Sequence, residues 1–300
     1  MKCLAICVPL LVFAAACSSD DDDGVGPTQP PEDTTSVVVS MAGNIATCGT
    51  TNDDLVASLL DTLPGYVIAL GDNVVEGRLD AYNNCYEPSW GRHKDRTYTA
   101  LGNHEYGLGN ADGTFSYFGD KAGPVGLGYY SFDLGEWHVI VLNDNEAFVP
   151  YGPGSAQFEW LQADLSANTK PCTMAVWHQS YFLSSNTPGF TVRPTRKVLW
   201  DVLHAAGVDV VVNGSQHHYE RFAPMDPTGT VDEANGIRSF NVGTGGESVA
   251  DATVAIHPSS EAKAAVFGVL TMRLRATGYD WTFVPVPGVS FTDSGSGTCH

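Results

Sequence analysis

In five places in this chain an apolar run breaks off into a side chain that can coordinate a cation or move a proton. Residues 66–70 run into Gly71-Asp72-Asn73, and residues 97–101 into Gly102-Asn103-His104-Glu105. Residues 173–177 run into His178, and residues 208–212 into Asn213-Gly214-Ser215-Gln216-His217-His218. A further run, residues 37–42, ends in Gly43-Asn44. Carboxylates, amide carbonyls and imidazoles are ligands for hard and borderline cations. The same imidazoles and carboxylates can also carry protons. A histidine pair beside one strand is more often structural than metal-binding. The repetition of polar ligand types at strand ends, where α/β sheets build their sites, is hard to obtain from packing alone.

The runs must be held by a regular frame, and the pattern supplies one. Asn52 caps a helix over residues 53–63 with Leu55, Leu59 and Leu60 inward, and Pro64-Gly65 ends it. A short helix near 79–84 follows, so the first third reads β-α-β-α-β. Residues 129–133 and 137–143 alternate about Leu134-Gly135-Glu136, the signature of a hairpin. Ser155 caps a helix with Phe158, Leu161 and Leu165 on one face. Residues 195–206 form an amphipathic helix that stops at Gly207. Residues 237–242, 265–275 and 279–285 read as antiparallel strands. The glycine-rich Val242-Gly243-Thr244-Gly245-Gly246-Glu247 reads as a turn. Two mixed sheets face to face, with helices outside, accommodate all of this in one domain over 37–300.

Composition restricts the partners. The 300 residues are 43% hydrophobic, enough for a full core, and carry a net charge of −19. That balance argues against nucleic acid, whose phosphates need cationic partners. A small anionic substrate remains compatible if a cation or local dipoles screen the site. The acidic run at 20–23 lies in a Pro- and Thr-rich stretch, 18–36, that reads as a disordered linker. Ahead of it, Lys2 and a short apolar stretch end in Ala14-Ala15-Ala16-Cys17-Ser18-Ser19. This resembles a bacterial lipoprotein signal over 1–17, cleaved before Cys17 and acylated on its sulfur, with an ordinary secretion signal as the alternative. The expectation is a protein lipid-anchored in the cell envelope, on the outer-membrane side, touching the membrane only through that anchor. Beyond Cys17 the cysteines are Cys48, Cys85, Cys172 and Cys299, an even number that implies two disulfides with three possible connectivities. Chain position favours Cys48–Cys85 and Cys172–Cys299, the second pinning the C-terminal tail. No pair has the C-x-x-C spacing of a zinc site.

Taken in order, Gly71-Asp72-Asn73, Gly102-Asn103-His104-Glu105, His178 and Gly214-x-x-His217-x-Tyr219-Glu220-Arg221 resemble the calcineurin-like metallophosphoesterases. Gly102-Asn103-His104-Glu105 and Tyr219-Glu220-Arg221 are similar to the purple-acid-phosphatase branch. The resemblance implies an α/β (α+β) fold, a four-layer αββα sandwich, with metals on the strand-end loops. It implies Asp72 as a bridging carboxylate, Asn103 and His178 as ligands of one metal and His217 of the other. His104 would stabilise the transition state or protonate the leaving oxygen.

The departures fall on the metal centre. Where the family has an aspartate this chain has Asn44, a weaker ligand; where it has a tyrosine ligand, Val75; where it has a histidine ligand, Ser215. The histidine after His178 is Gln179. The first metal would thus lose a charged ligand at Asn44 and one outright at Val75, keeping Asp72 and His217. The second would lose its fourth ligand at Ser215, leaving Asp72, Asn103 and His178 for a single zinc, iron or manganese ion. One metal is the expectation, ahead of two, with none as the third outcome. The implied substrate is a small phosphate ester, and loops 107–128, 148–154 and 184–194 would set its identity. The alternative is a pseudo-phosphatase, a surface lipoprotein that kept the fold and binds a ligand or a protein.

Overall fold

The central parallel strands arise here where apolar, largely β-branched residues run together. The computed structural model describes residues 36–300, so Cys17 and almost all of the acidic linker lie outside the described residues. In chain order the elements begin with β1 Val37–Ala42, α1 Asn52–Leu60, β2 Tyr66–Leu70, β3 Thr97–Ala100 and α2 Asp112–Phe118. There follow β4 Tyr130–Leu134, β5 Trp137–Val141, α3 Ala156–Ala167, β6 Cys172–Trp177 and α4 Lys197–Ala205. The chain closes with β7 Val210–Asn213, β8 Tyr219–Phe222, β9 Arg238–Val242, β10 Ser260–Ala264, β11 Gly268–Arg275, β12 Gly278–Pro285 and β13 Asp293–Thr298.

These strands form two mixed sheets, ordered β13-β12-β11-β1-β2-β3 and β10-β8-β9-β7-β6-β5-β4. β1, β2 and β3 are parallel, and so are β5, β6, β7 and β9. Alternation along β5, β6 and β7 divides their side chains between two cores. Val139, Val141, Met174, Val176, Val210 and Val212 join the core that includes residues of both sheets. Ile140, Ala175 and Val211 point the other way, onto Leu161 of α3 and Leu199, Trp200 and Leu203 of α4. Strands buried on both faces read as continuous apolar runs, which is why these were plain in the sequence. Aromatic pairs cross between the sheets: Tyr219 with Phe283 at 4.4 Å, Phe240 with Trp281 at 5.8 Å and Trp137 with Tyr279 at 5.7 Å between ring centroids.

Several details differ from the sequence reading. In α1 the inward stripe is Asp53, Val56, Ala57 and Leu60, and Leu55 is 48% exposed. Residues three and four apart share a helix face, so a stripe through 53, 56, 57 and 60 leaves position 55 outside it. The cap position is Thr51, and no side chain caps the helix. β9 is parallel to β7 rather than purely antiparallel. β13 is a strand without an apolar residue. Its alternate glycines lie against aromatic rings, and a Cβ would come within 2.3 Å of Trp281 at Gly295 and 2.4 Å of Tyr279 at Gly297. The disulfides join Cys48 to Cys85 and Cys172 to Cys299, the latter tying the end of β13's segment to the start of β6. No described helix is long and apolar enough to cross a membrane.

His138 on β5 sits between two carboxylates, Nδ1 at 2.9 Å from Asp133 and Nε2 at 2.8 Å from Asp164 of α3. Burial opposes its charge, but the hydrogen bonds and charges of Asp164 and Asp133 outweigh that and raise its pKa. A raised folded-state pKa stabilises the fold fully below the unfolded value of about 6.5, and the contribution fades as pH climbs through the folded value. The difference in urea unfolding free energy between wild type and His138→Gln should therefore be larger at pH 5.5 than at pH 9. An equal difference at both would remove the ion pairs from the account.

Candidate metal centre

The centre is assembled from strand ends, beginning with a hydrogen bond between the two sheets. His178 directly follows β6 in one sheet, and its Nδ1 is 2.9 Å from the carbonyl of Leu70, the last residue of β2 in the other. A carbonyl only accepts, so Nδ1 carries the proton and Nε2 is turned to Asp72, 3.0 Å from its Oδ2. The loop after β7 joins the same bundle, since the amides of Gly214 and Ser215 both donate to the His178 carbonyl. The loop after β1 joins through Asn44 N, which donates to Gly71 O, and Gly43 N, which donates to Val242 O. The glycine-rich 242–247 segment proves to be the wall behind Asn44: Gly245 N donates to Gly43 O and Glu247 N to Asn44 O. Such crowding needs residues without side chains. A Cβ on Gly102 would lie 2.2 Å from Asp72 Oδ1, and one on Gly214 2.3 Å from Leu70 O.

Asp72 itself adopts a left-handed backbone, φ 51°, uncommon outside glycine but tolerated by Asp and Asn. Glu105 holds it there. This buried carboxylate accepts from the amides of Asp72 (2.9 Å), Asn73 (2.7 Å) and Gly102 (2.6 Å), so one side chain clamps the loops after β2 and β3. Asp72 Oδ1 in turn accepts from the His104 amide at 2.8 Å. Burial works to raise the Asp72 pKa, yet the neighbouring His178 and His104 hold its carboxyl below the usual carboxylate range. Glu105 has no cation against it, and burial together with the Asp72 charge pushes it up. For His178, burial disfavours the charge, the Asp72 carboxylate overcomes it, and the imidazole is pushed up to about 9.

The other sequence-derived residues occupy graded positions. His104 Nε2 is 3.7 Å from Asp72 Oδ2 on a half-buried side chain, close enough to serve a group bound at Asp72. Asn103 is exposed, and its Oδ1 accepts from Gln179 Nε2 at 3.0 Å. Gln179 is held in turn by Arg196, 2.7 Å from its Oε1, and Arg196 pairs with buried Asp144 at 3.0 Å. His217 turns its Nδ1 to the carbonyl and hydroxyl of Ser248, at 3.1 and 2.7 Å. Its neighbour His218 turns to Glu220. Ser215 lies one hydrogen bond from His178, and Val75 is 38% exposed beside the Cys48–Cys85 bridge. Among the described residues no three His, Cys, Asp or Glu donors converge here within 4.8 Å. The one such trio, Cys172, Asp209 and Cys299, contains a disulfide.

The donor chemistry nevertheless fits a cation at Asp72. Asn44 is fully buried with φ 54°, and both atoms of its amide lack a hydrogen-bond partner. Asn73 and Asn213 differ, because their amide nitrogens are bonded to Thr99 and to the Trp177 carbonyl. An unpartnered buried polar group costs about 1–3 kcal/mol, and a cation would relieve the oxygen. Asp72, His178 and Asn103, with Asn44 beside them, are the residues that would hold it.

Sequence reasoning left Glu105, Asp144 and Arg196 without roles. Asp144 carried the same signal as the others, a polar residue just beyond an apolar strand, β5. Glu105 sat inside the Gly102–Glu105 motif, but its task, accepting three backbone amides, depends on two loops that only the fold brings together.

Comparison with known proteins agrees with this geometry. Residues 51–219 match the model of the calcineurin-like phosphoesterase family. Purple acid phosphatase 15 of Arabidopsis thaliana is 25% identical over 218 residues, 59% of this chain and 40% of that protein. Human acid phosphatase type 7 is 31% identical over 147 residues, 42% of this chain and 33% of its own length. In fold, a purple acid phosphatase from yellow lupin seeds covers 88% of this chain, with 54% of its own chain covered, at TM-score 0.68 and 18% identity. An anchor in the inner membrane complex of Plasmodium matches at TM-score 0.63 and 14% identity, over 86% of this chain and 88% of its own. The chain belongs to the calcineurin-like phosphoesterases, in their purple-acid-phosphatase-like branch. It spans less than half the length of Arabidopsis purple acid phosphatase 15 and of human acid phosphatase type 7.

Removing the Glu105 carboxylate strands three buried backbone donors. Glu105→Ala should lower the unfolding free energy by about 3 kcal/mol or more, measured by chemical denaturation. A loss within about 0.5 kcal/mol, the range of an ordinary surface substitution, would show that the clamp is dispensable.

Proposed function

We propose that this protein is an exported, metal-dependent phosphomonoester hydrolase working with a depleted centre that holds one zinc, iron or manganese ion on Asp72, Asn103 and His178. The observation that carries the reading is the Asp72–His178 pair, fixed from behind by Leu70 O and Glu105, with the unpartnered Asn44 amide on the neighbouring loop. A bound cation of this kind polarises a phosphoryl oxygen and lowers the pKa of a bound water. The chain's own part is positional. Glu105 keeps Asp72 in place, Leu70 keeps His178 in one tautomer, and Gln179, held by Arg196 and Asp144, keeps the Asn103 oxygen aimed. His104, half-buried and 3.7 Å from Asp72, is suited to protonate the leaving oxygen. The two disulfides support an oxidising compartment, and the Ala14-Ala15-Ala16-Cys17 lipobox supports a lipid anchor in the cell envelope.

A second reading, a pseudo-phosphatase that binds a ligand or protein, is favoured by one observation. The Asn103 oxygen already accepts a hydrogen bond from Gln179, at the position where the resemblance expects a histidine.

Metal content by inductively coupled plasma mass spectrometry, on soluble protein beginning after Cys17, separates the two. One metal per chain, lost in Asp72→Ala, is the expected result. None, even after soaking with zinc, manganese and iron, would leave the second reading. Combining Asn44→Asp, Val75→Tyr and Ser215→His should raise both bound metal and phosphatase activity. No gain in either would mean that these positions are not what limits the centre.

A further inference from the structure

Besides Asn44, Arg193 has bonding near the centre that is incomplete in a way that describes a ligand. It ends the loop that returns from Leu183 to α4, and its backbone amide donates to Tyr181 O at 2.8 Å. Its guanidinium reaches back between the two loops that carry the centre. Nη1 donates to the Ser180 carbonyl at 3.3 Å and lies 3.2 Å from the Ser180 hydroxyl, two residues beyond His178. With the Gln216 amide oxygen turned towards it, Nη1 and Nη2 donate to that oxygen at 3.0 and 2.9 Å, one residue before His217.

A guanidinium has five N–H donors. Ser180 takes one from Nη1, and Gln216 takes the pair facing it from Nη1 and Nη2. What remains is Nε–H and the outer Nη2–H, side by side on one edge, the spacing at which carboxylates and phosphates bind through two oxygens. Arg193 makes no ion pair among the described residues, unlike Arg196 three positions on, which is neutralised by Asp144.

The surroundings suit an anion. Arg193 lines a cavity of about 320 Å³ together with Ser185, Thr187, Ser215, Gln216 and His217, and no carboxylate lines it. In a chain of net charge −19 that is a selective absence. The larger cleft on the Glu105 side, about 590 Å³, is lined by Glu76, Asp80, Glu105 and Asp112. Glu220, adjoining Ser184 and His218, is fully buried and accepts from Ser184, Ser260 and His218.

We infer that Arg193, set by Ser180 and Gln216, is a subsite for a second oxyanion of the substrate, so that the preferred phosphate esters carry a further phosphate or carboxylate beside the group that is cleaved. This rests on the phosphate-ester reading above, but it can fail separately.

The test is calorimetric titration of the purified soluble protein with inorganic pyrophosphate, phosphoglycolate and inorganic phosphate, for wild type and Arg193→Gln. Loss of a charged, two-point hydrogen bond should weaken pyrophosphate or phosphoglycolate by about tenfold or more, while inorganic phosphate, with a single oxyanion, changes by less than about threefold. Whichever of the two larger probes loses more identifies the second group as phosphate or carboxylate. Arg193→Lys keeps the charge without the fork, and it should also lose the preference for the larger probes. Equal weakening of all three ligands, or none, in both variants overturns the subsite, as does wild type that binds neither larger probe. Binding through Arg193 in a protein that hydrolyses nothing would leave the subsite standing and remove the hydrolase reading. Turnover of monoesters with no Arg193-dependent preference would do the reverse.

Discussion

A buried carboxylate with no cation against it holds the site in register. Glu105 accepts three backbone amides from two different loops, and the strand ends of β2 and β3 converge on it. Burial and the Asp72 charge raise its pKa, against which the backbone amides and the nearby His178 work, and the convergence of amides on it accounts for the crowding. The consequences pass outward through hydrogen bonds. Asp72 is fixed in a left-handed turn, the glycines at 71 and 102 are needed so that backbones can meet, and His178 is drawn against Asp72 from the second sheet. The centre is therefore most densely hydrogen-bonded where it meets Asp72 and less so at His217, whose ring faces Ser248 and whose carbonyl accepts from the Ala250 amide.

This asymmetry bears on the substituted positions. The side that keeps its ligand types, Asp72, Asn103 and His178, is also the side with the deepest support, through Leu70, Glu105 and the Gln179–Arg196–Asp144 relay. Val75 and Ser215, the positions without a ligand side chain, each line a cleft. Substitution at these positions leaves the Glu105 clamp untouched, so the fold has no reason to report it. Likeness in fold does not decide the matter either, since both a phosphatase and a membrane-complex anchor share this architecture.

How far the sequence could be read depended on whether its signals were local. The parallel strands β1, β2, β5, β6 and β7 were legible because burial on both faces demands unbroken apolar runs. α3 was legible because Ser155 supplies its cap, accepting from the Phe158 amide. β13 was not, because its glycines answer to the rings of Tyr279 and Trp281, which only pairing with β12 sets beneath them. In α1 a leucine-rich stretch misled by one position, since Asp53 belongs to the buried stripe through its bond with Ser89.

By itself the sequence determined which chemistry could be present. Residue types are fixed by the chain, so an aspartate, an asparagine and histidines at strand ends, a valine and a serine where the family has ligands, and four cysteines beyond Cys17 stand regardless of packing. Tertiary structure alone decided which of them act together. Glu105 under Asp72, Asp144 behind Gln179, and Arg193 with two donors unused between the His178 and His217 loops all depend on segments tens of residues apart in the chain. Hydrogen bonds are made at about 3 Å, and no spacing along the sequence records a distance of that kind.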